Sequence, residues 1–146
     1  MPAEPAEPAE SGHRLLPHTA DLRLEAWATT REGCFDQAVR ALAESFVEPA
    51  TTAPRREVPV LLLGDRDDAL LAALLEEAIY AVEVLGLVPL AATLTAADDA
   101  GLAGWFDAVP VSAVELVGSV PKAVSRGDLE VTGGDAGWRC LVTVDV

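Results

Sequence analysis

Residues 16–27 read LPHTADLRLEAW, and the fold turns on how their second half is read. From Leu22 to Trp27 the side chains alternate. Leu22, Leu24 and Ala26 lie on one side, and Arg23 and Glu25 on the other. A period of two marks a strand with one face against a core and one toward water. The stretch in front is of another kind. Pro17-His18-Thr19-Ala20-Asp21 sets an imidazole, a hydroxyl and a carboxylate within four residues, which is either turn chemistry or a site.

Working outward, the pattern changes period. In TTREGCFDQAVRALAESFVEP, Phe35, Val39, Leu42 and Phe46 recur at helical spacing with Cys34 and Ala38 beside them, and Pro49 follows the stop. Thr29 and Glu32 stand at capping-box distance. The spacing predicts an amphipathic helix over 31–47. A loop then leads to a short apolar strand near 58–63. DRDDALLAALLEEAIYAVEVLG predicts a second, well-buried helix, with Asp65 as its cap, Asp67 and Asp68 at the positive end of its dipole, and Gly86 closing it. The remainder reads as β, with strands near 87–96, 102–109, 121–125, 128–132 and 137–145. Turn signals stand at Asp98-Asp99-Ala100-Gly101 and Gly133-Gly134-Asp135, and an irregular connection runs between Val109 and Val120. Two helices packed on a mostly antiparallel sheet of six or seven strands make an α+β protein.

The chain is long enough, at 146 residues and 51% hydrophobic, for one domain with a real core. MPAEPAEPAESG repeats Pro-Ala-Glu and holds no aliphatic residue larger than alanine after Met1. Residues 1–12 therefore read as a disordered tail and 13–146 as the single domain. No secretory signal pattern opens the chain. The most apolar stretch, from Ala69 to Leu94, is interrupted by Glu76, Glu77, Glu83, Gly86 and Pro89, so it reads as core rather than membrane span. Cys34 and Cys140 form neither a disulfide framework nor a metal-ligand spacing. They read as buried thiols in a reducing, cytoplasmic setting. Ten basic residues against 24 acidic ones leave a net charge of −14 without a basic cluster. That argues against direct, tight nucleic-acid binding, which needs cations to neutralise phosphates, and suits a cation or a partner with a basic face.

Gly-rich phosphate loops, CxxC, HExxH and nucleophile elbows do not occur. His13 adjoins the tail and reads as solvated. The closing stretch GWRCLVTVDV is more informative. Leu141, Thr143 and Asp145 share one parity, and the Asp145 side chain stands next to the α-carboxylate of Val146. A strand ending beside Asp21 would bring three carboxylates together, and such a cluster repels itself unless a cation or protons neutralise it. Oxygen ligands alone select hard ions such as Ca²⁺ or Mg²⁺. A frayed terminus and a turn aspartate are the plainer alternative.

PHTADLRLEAWATTREGCFDQAVRAL resembles the opening of the archease family, with its His-Thr-Ala-Asp motif, amphipathic strand and helix. PKAVSRGDLEV resembles that family's Lys-Ala-Val segment followed by an Asp-Leu strand, and GWRCLVTVDV its closing strand. The three blocks come in the family's order across 16–146. Archeases are accessory proteins of RtcB-type RNA ligases, which join RNA ends in tRNA splicing and RNA repair. The resemblance implies an activator rather than an enzyme, one that promotes guanylylation and multiple turnover of the ligase. It implies an α+β fold with a strand–helix–strand–strand module, and a divalent-metal site taking calcium, or else magnesium or manganese. By motif, Asp21 and Asp145 would bind metal and be needed for activation, Val146 would add its carboxylate, Lys122 would match the family's functional lysine, and His18 would support Asp21.

The sequence departs from the family in two places. Many archeases follow Lys-Ala-Val with Thr-Tyr-His, where this chain has Ser125-Arg126-Gly127. Members also tend to carry an Arg-His pair in the preceding connection, where AVPVSAVELVGS has neither. These departures keep a second expectation open, an archease-fold binding module that has lost ligase activation. A small hydrolase built on Asp21, His18 and Lys122 would lack an evident nucleophile.

Overall fold

The computed structural model describes residues 10–16, 21–48, 52–97 and 100–146. In chain order these form β1 (Gly12–Leu16), β2 (Leu22–Ala28), α1 (Arg31–Glu44), β3 (Arg56–Leu63), α2 (Asp67–Tyr80), β4 (Leu87–Ala96), β5 (Gly101–Pro110), β6 (Ala123–Gly134) and β7 (Gly137–Asp145). β1-β2-β7-β6 make one sheet and β3-β5-β4 another, with every recorded pair antiparallel. The run β3–α2–β4–β5 is the expected strand–helix–strand–strand module. The two helices lie between the sheets. α1 packs on β2 and β7 on one side and β4 on the other, and α2 on β6 and on β3 and β5. One core therefore joins Leu24, Ala26, Val142 and Val144 of the first sheet to Phe106, Leu102 and Leu62 of the second through Phe35, Val39, Leu71 and Leu75.

The alternation of β2 is realised. Leu24 and Ala26 are fully buried toward the helices, while Glu25 turns outward to pair with Arg14 at 3.0 Å and Arg139 at 3.1 Å. The helix limits differ from expectation for local reasons. Thr30, not Thr29, caps α1 by accepting from the Gly33 N–H at 3.0 Å, and Glu32 pairs with Arg31 instead. The helix stops at Glu44 because the Ser45 hydroxyl donates to the Leu42 carbonyl at 2.6 Å and Val47 leaves to bridge Leu116. α2 begins after Arg66 rather than with an Asp65 cap. Asp68 serves its first turn, accepting from the Ala69 N–H at 2.8 Å. One wider π-type turn, Ala81–Leu85, precedes Gly86, whose φ of 67° closes the helix in the left-handed conformation.

Two further differences bear on the site. Residues 12–16 form β1, an edge strand that no local pattern announces, and His13 on it is half-buried rather than solvated. Its ring is hydrogen-bonded to Gln37 at 2.7 Å and Glu44 at 2.9 Å on α1. The two short strands expected near 121–125 and 128–132 are one strand, β6, with a bulge. Ser125 faces Thr143 and Glu130 faces Leu141, so five steps along β6 are set against two along β7. Residues 1–9, Pro17 to Ala20 (His18 among them), 49–51 and 98–99 lie outside the described residues. Among the described residues, no helix is long and apolar enough to cross a membrane.

Candidate functional site

Register decides where the sequence-predicted residues meet. β2 and β7 run antiparallel with Leu22 opposite Val144, so the start of one strand adjoins the end of the other. Asp21, just before β2, and Asp145, at the end of β7, stand at the next register position. β6 begins on the far side of β7 with Ala123 opposite Asp145, and the Lys122 N–H donates to the Asp145 carbonyl at 2.8 Å. Asp21, Lys122, Asp145 and Val146, dispersed over 126 positions, thus gather at one end of one sheet.

An open cavity of about 210 Å³ lies there, lined by Asp21, Leu22, Ser45, Ser119 and Val146. Ser45 arrives from the end of α1 and Ser119 from the connection between β5 and β6. That connection is tied down by a bond from the Val117 N–H to the Phe46 carbonyl at 2.8 Å and one from the Glu48 N–H to the Glu115 carbonyl at 3.0 Å. Asp21 and Val146 are half-buried at the cavity, whereas Asp145 and Lys122 are exposed beside it and line no part of it. Among the described residues Lys122 makes no ion pair, and no three side chains of His, Cys, Asp and Glu stand close enough to hold a metal. The polar residues of this lining, Asp21, Ser45 and Ser119, carry oxygen and no sulfur or imidazole, chemistry that suits a hard cation better than a soft one.

Sequence reasoning missed Ser45 and Ser119. Neither carries a local signal, since one ends a helix and the other lies in the unpatterned connection. His18 falls outside the described residues. The departure at Ser125-Arg126-Gly127 is occupied by a structural link. Arg126 reaches α2 and donates to both oxygens of Glu76, at 2.6 and 3.2 Å, which holds its guanidinium above its ordinary range. Behind the site, the buried Thr143 Oγ1 and Arg23 Nε, on directly opposed residues, have no hydrogen-bond partner. A larger depression, about 640 Å³, lies at the other end of the same sheet between Trp27 and Trp138 and contains none of these residues.

Comparison with known proteins identifies the family and the fold. The Archease protein family (MTH1598/TM1083) model matches residues 13–146. The chain is 46% identical over 136 residues to the probable protein archease of Mycobacterium tuberculosis, covering 93% of this chain and 75% of that one. It is 26% identical to the protein archease of Archaeoglobus fulgidus, covering 92% and 98%. Two solved structures share the fold. The solution structure of Methanobacterium thermoautotrophicum protein 1598 has a TM-score of 0.62 and 22% identity, over 92% of this chain and 99% of that one. An archease from Thermotoga maritima, described as a possible chaperone, has 0.63 and 16%, over 90% and 94%. With a family model spanning nearly all of the chain and a relative 46% identical over 93% of it, this protein belongs to the archease family.

Proposed function

We propose that this protein is the accessory activator of an RtcB-type RNA ligase, promoting its guanylylation and repeated turnover in tRNA splicing or RNA repair without catalysing ligation itself. The observation that carries the reading is the convergence of Asp21 and Val146 on one cavity, with Asp145 and Lys122 on the adjoining strand ends. Among the described residues the Ser45 hydroxyl is donated to the Leu42 carbonyl rather than to a base, so the cluster is better suited to holding charge than to forming a covalent intermediate.

The donor set fits a hard divalent cation such as calcium. When bound, that ion would supply positive charge beside the Asp21 carboxylate. Asp21 and Val146 would hold it from opposite strands, Asp145 would add its carboxylate from the rim, and His18 would orient Asp21. Lys122 stands beside them as a mobile positive charge on a long stem, suited to meeting a phosphate or carboxylate of the partner complex. The net charge of −14 disfavours competition for RNA and favours approach to a basic surface on the ligase.

The test is a ligase turnover assay with GTP and metal, at substoichiometric amounts of this protein. Wild type should restore multiple turnover. Asp21→Ala, Lys122→Ala and Asp145→Ala should each abolish the effect while melting as wild type does. Activation that survives all three substitutions would remove the site assignment. A second reading, an archease-fold module without ligase activation, is favoured by one observation, the commitment of Arg126 to Glu76 where relatives carry other chemistry. It predicts no change in turnover at any concentration, together with retained binding to the ligase.

A further inference from the structure

We propose that Leu116 and Val117 form the apolar anchor by which this protein docks on its protein partner, inserting into a hollow that the partner rims with Lys and Arg. The proposal rests on the activator reading above and adds to it the surface that makes the contact. Leu116 is 53% exposed and Val117 55% exposed. Their neighbours in the same connection, Val114 and Val120, pack inward against the smaller core around Phe46, Val88 and Val109. The chain thus buries the aliphatic residues on either side and leaves this pair in water.

The pair is displayed on a clamped backbone. Leu116 bridges Val47, the Val117 N–H donates to the Phe46 carbonyl, and the Glu48 N–H donates to the Glu115 carbonyl. Next to them, Gly118 runs so close to the Ser45 carbonyl that a Cβ there would collide with it. The clamp is seated on Phe46 and Val47, both essentially fully buried. An anchor already held in place loses little conformational freedom on docking, and an exposed apolar patch rimmed by polar groups is a mark of a protein–protein contact.

The ring here is acidic. Glu115 precedes the pair and Glu48 lies across the backbone link, both exposed. On the other side Ser119 lies in the wall of the cavity that Asp21 and Val146 share, with Asp145 exposed beyond it. An apolar centre with an acidic rim is complemented by an apolar hollow with a basic rim. A nucleic-acid phosphate backbone is the wrong occupant for the same electrostatic reason. Docking at this point would bring the cavity and Lys122 against the partner in the same contact.

The experiment titrates ligase turnover with full-length wild type, with Leu116→Ser/Val117→Ser, and with a control, Leu61→Ser/Leu63→Ser. The control pair is more exposed still, at 67% and 73%, but lies on the outer face of the other sheet. Circular dichroism and melting should not change in either variant. The Leu116/Val117 variant should need about tenfold more protein for half-maximal activation and reach the wild-type plateau at saturation, with the loss expressed in the dissociation rate. Glu48→Gln/Glu115→Gln should instead slow association and flatten its salt dependence. Wild-type activation with an unchanged titration for the Leu116/Val117 variant overturns the docking surface alone. Wild type that neither binds nor activates the ligase overturns the activator reading, and this surface with it.

Discussion

Single residues in this protein carry effects that can be measured apart from its function. Thr143 is 4% exposed and its hydroxyl has no partner, so the side chain pays desolvation without return. Thr143→Val keeps the shape and removes that penalty, and should raise unfolding free energy by about 1 kcal/mol in urea titrations. A loss of stability would show that the hydroxyl is bonded in solution. Thr30→Ala removes the cap that the Gly33 N–H uses and should cost about 1 kcal/mol. Cys140 faces Cys34 in the core, and that contact together with burial pushes its thiol up. A raised folded value means the native protein keeps its proton after the unfolded chain has released it. The stabilisation is full below the unfolded value, about 8.5, and is lost as pH rises past it. Denaturation midpoints should therefore fall above about pH 8.5, and less steeply in Cys140→Ala; parallel curves would remove Cys140 as the cause.

At the scale of elements, what matters is how strands are fitted together. Gly104 of β5 sits at φ 156°, and a Cβ there would collide with the Thr93 carbonyl of the neighbouring β4. Gly104→Ala should be among the costliest single changes, roughly 3 kcal/mol or more, read from the thermal midpoint. The β6 bulge is held to α2 by Arg126 and Glu76, both largely exposed, so a double-mutant cycle on the pair should give a coupling under about 1 kcal/mol that fades with salt. A larger, salt-insensitive coupling would mean that the bulge is organised by this pair rather than by β-pairing. Asp36 shows the same economy between elements. Its two oxygens bond Arg40 on its own helix and the Ala92 N–H of β4, which fastens α1 to the second sheet where the β4 register shifts.

For the whole molecule the governing features are the three-layer arrangement and the charge. Both sheets bury one face on the same two helices, so neither can unfold without exposing the other's core. Leu24→Ala in the first sheet and Phe106→Ala in the second should each cost about 2–5 kcal/mol and leave one cooperative transition. Two separated transitions would show that the sheets are independent. Charge acts over longer range. With −14 overall, association with the proposed ligase partner should slow as ionic strength rises, and an association rate indifferent to salt would count against electrostatic guidance.

Much of this fold was legible because it is written in local periods. The two-residue alternation of LRLEAW, the 3.6-residue spacing of Phe35, Val39, Leu42 and Phe46, and the Gly86 stop each depend on neighbours within a few positions, and each appears where expected. What failed depended on distant partners. β1 has too little pattern of its own and exists because β2 offers it an edge. His13 is held because β1 lies across α1. The two short strands merged because β7 supplies a continuous partner on either side of the bulge. The site divides in the same way. Its motif residues, Asp21, Lys122, Asp145 and Val146, could be named from sequence. Ser45 and Ser119 could not, because only the packing of a helix end against an unpatterned connection brings them to the cavity. The sequence by itself determined both helices, most of the strands and the family's marks, since these reside in short-range order. The tertiary structure alone decided that two chain segments more than a hundred residues apart share one cavity, since that rests on strand register, which no local spacing encodes.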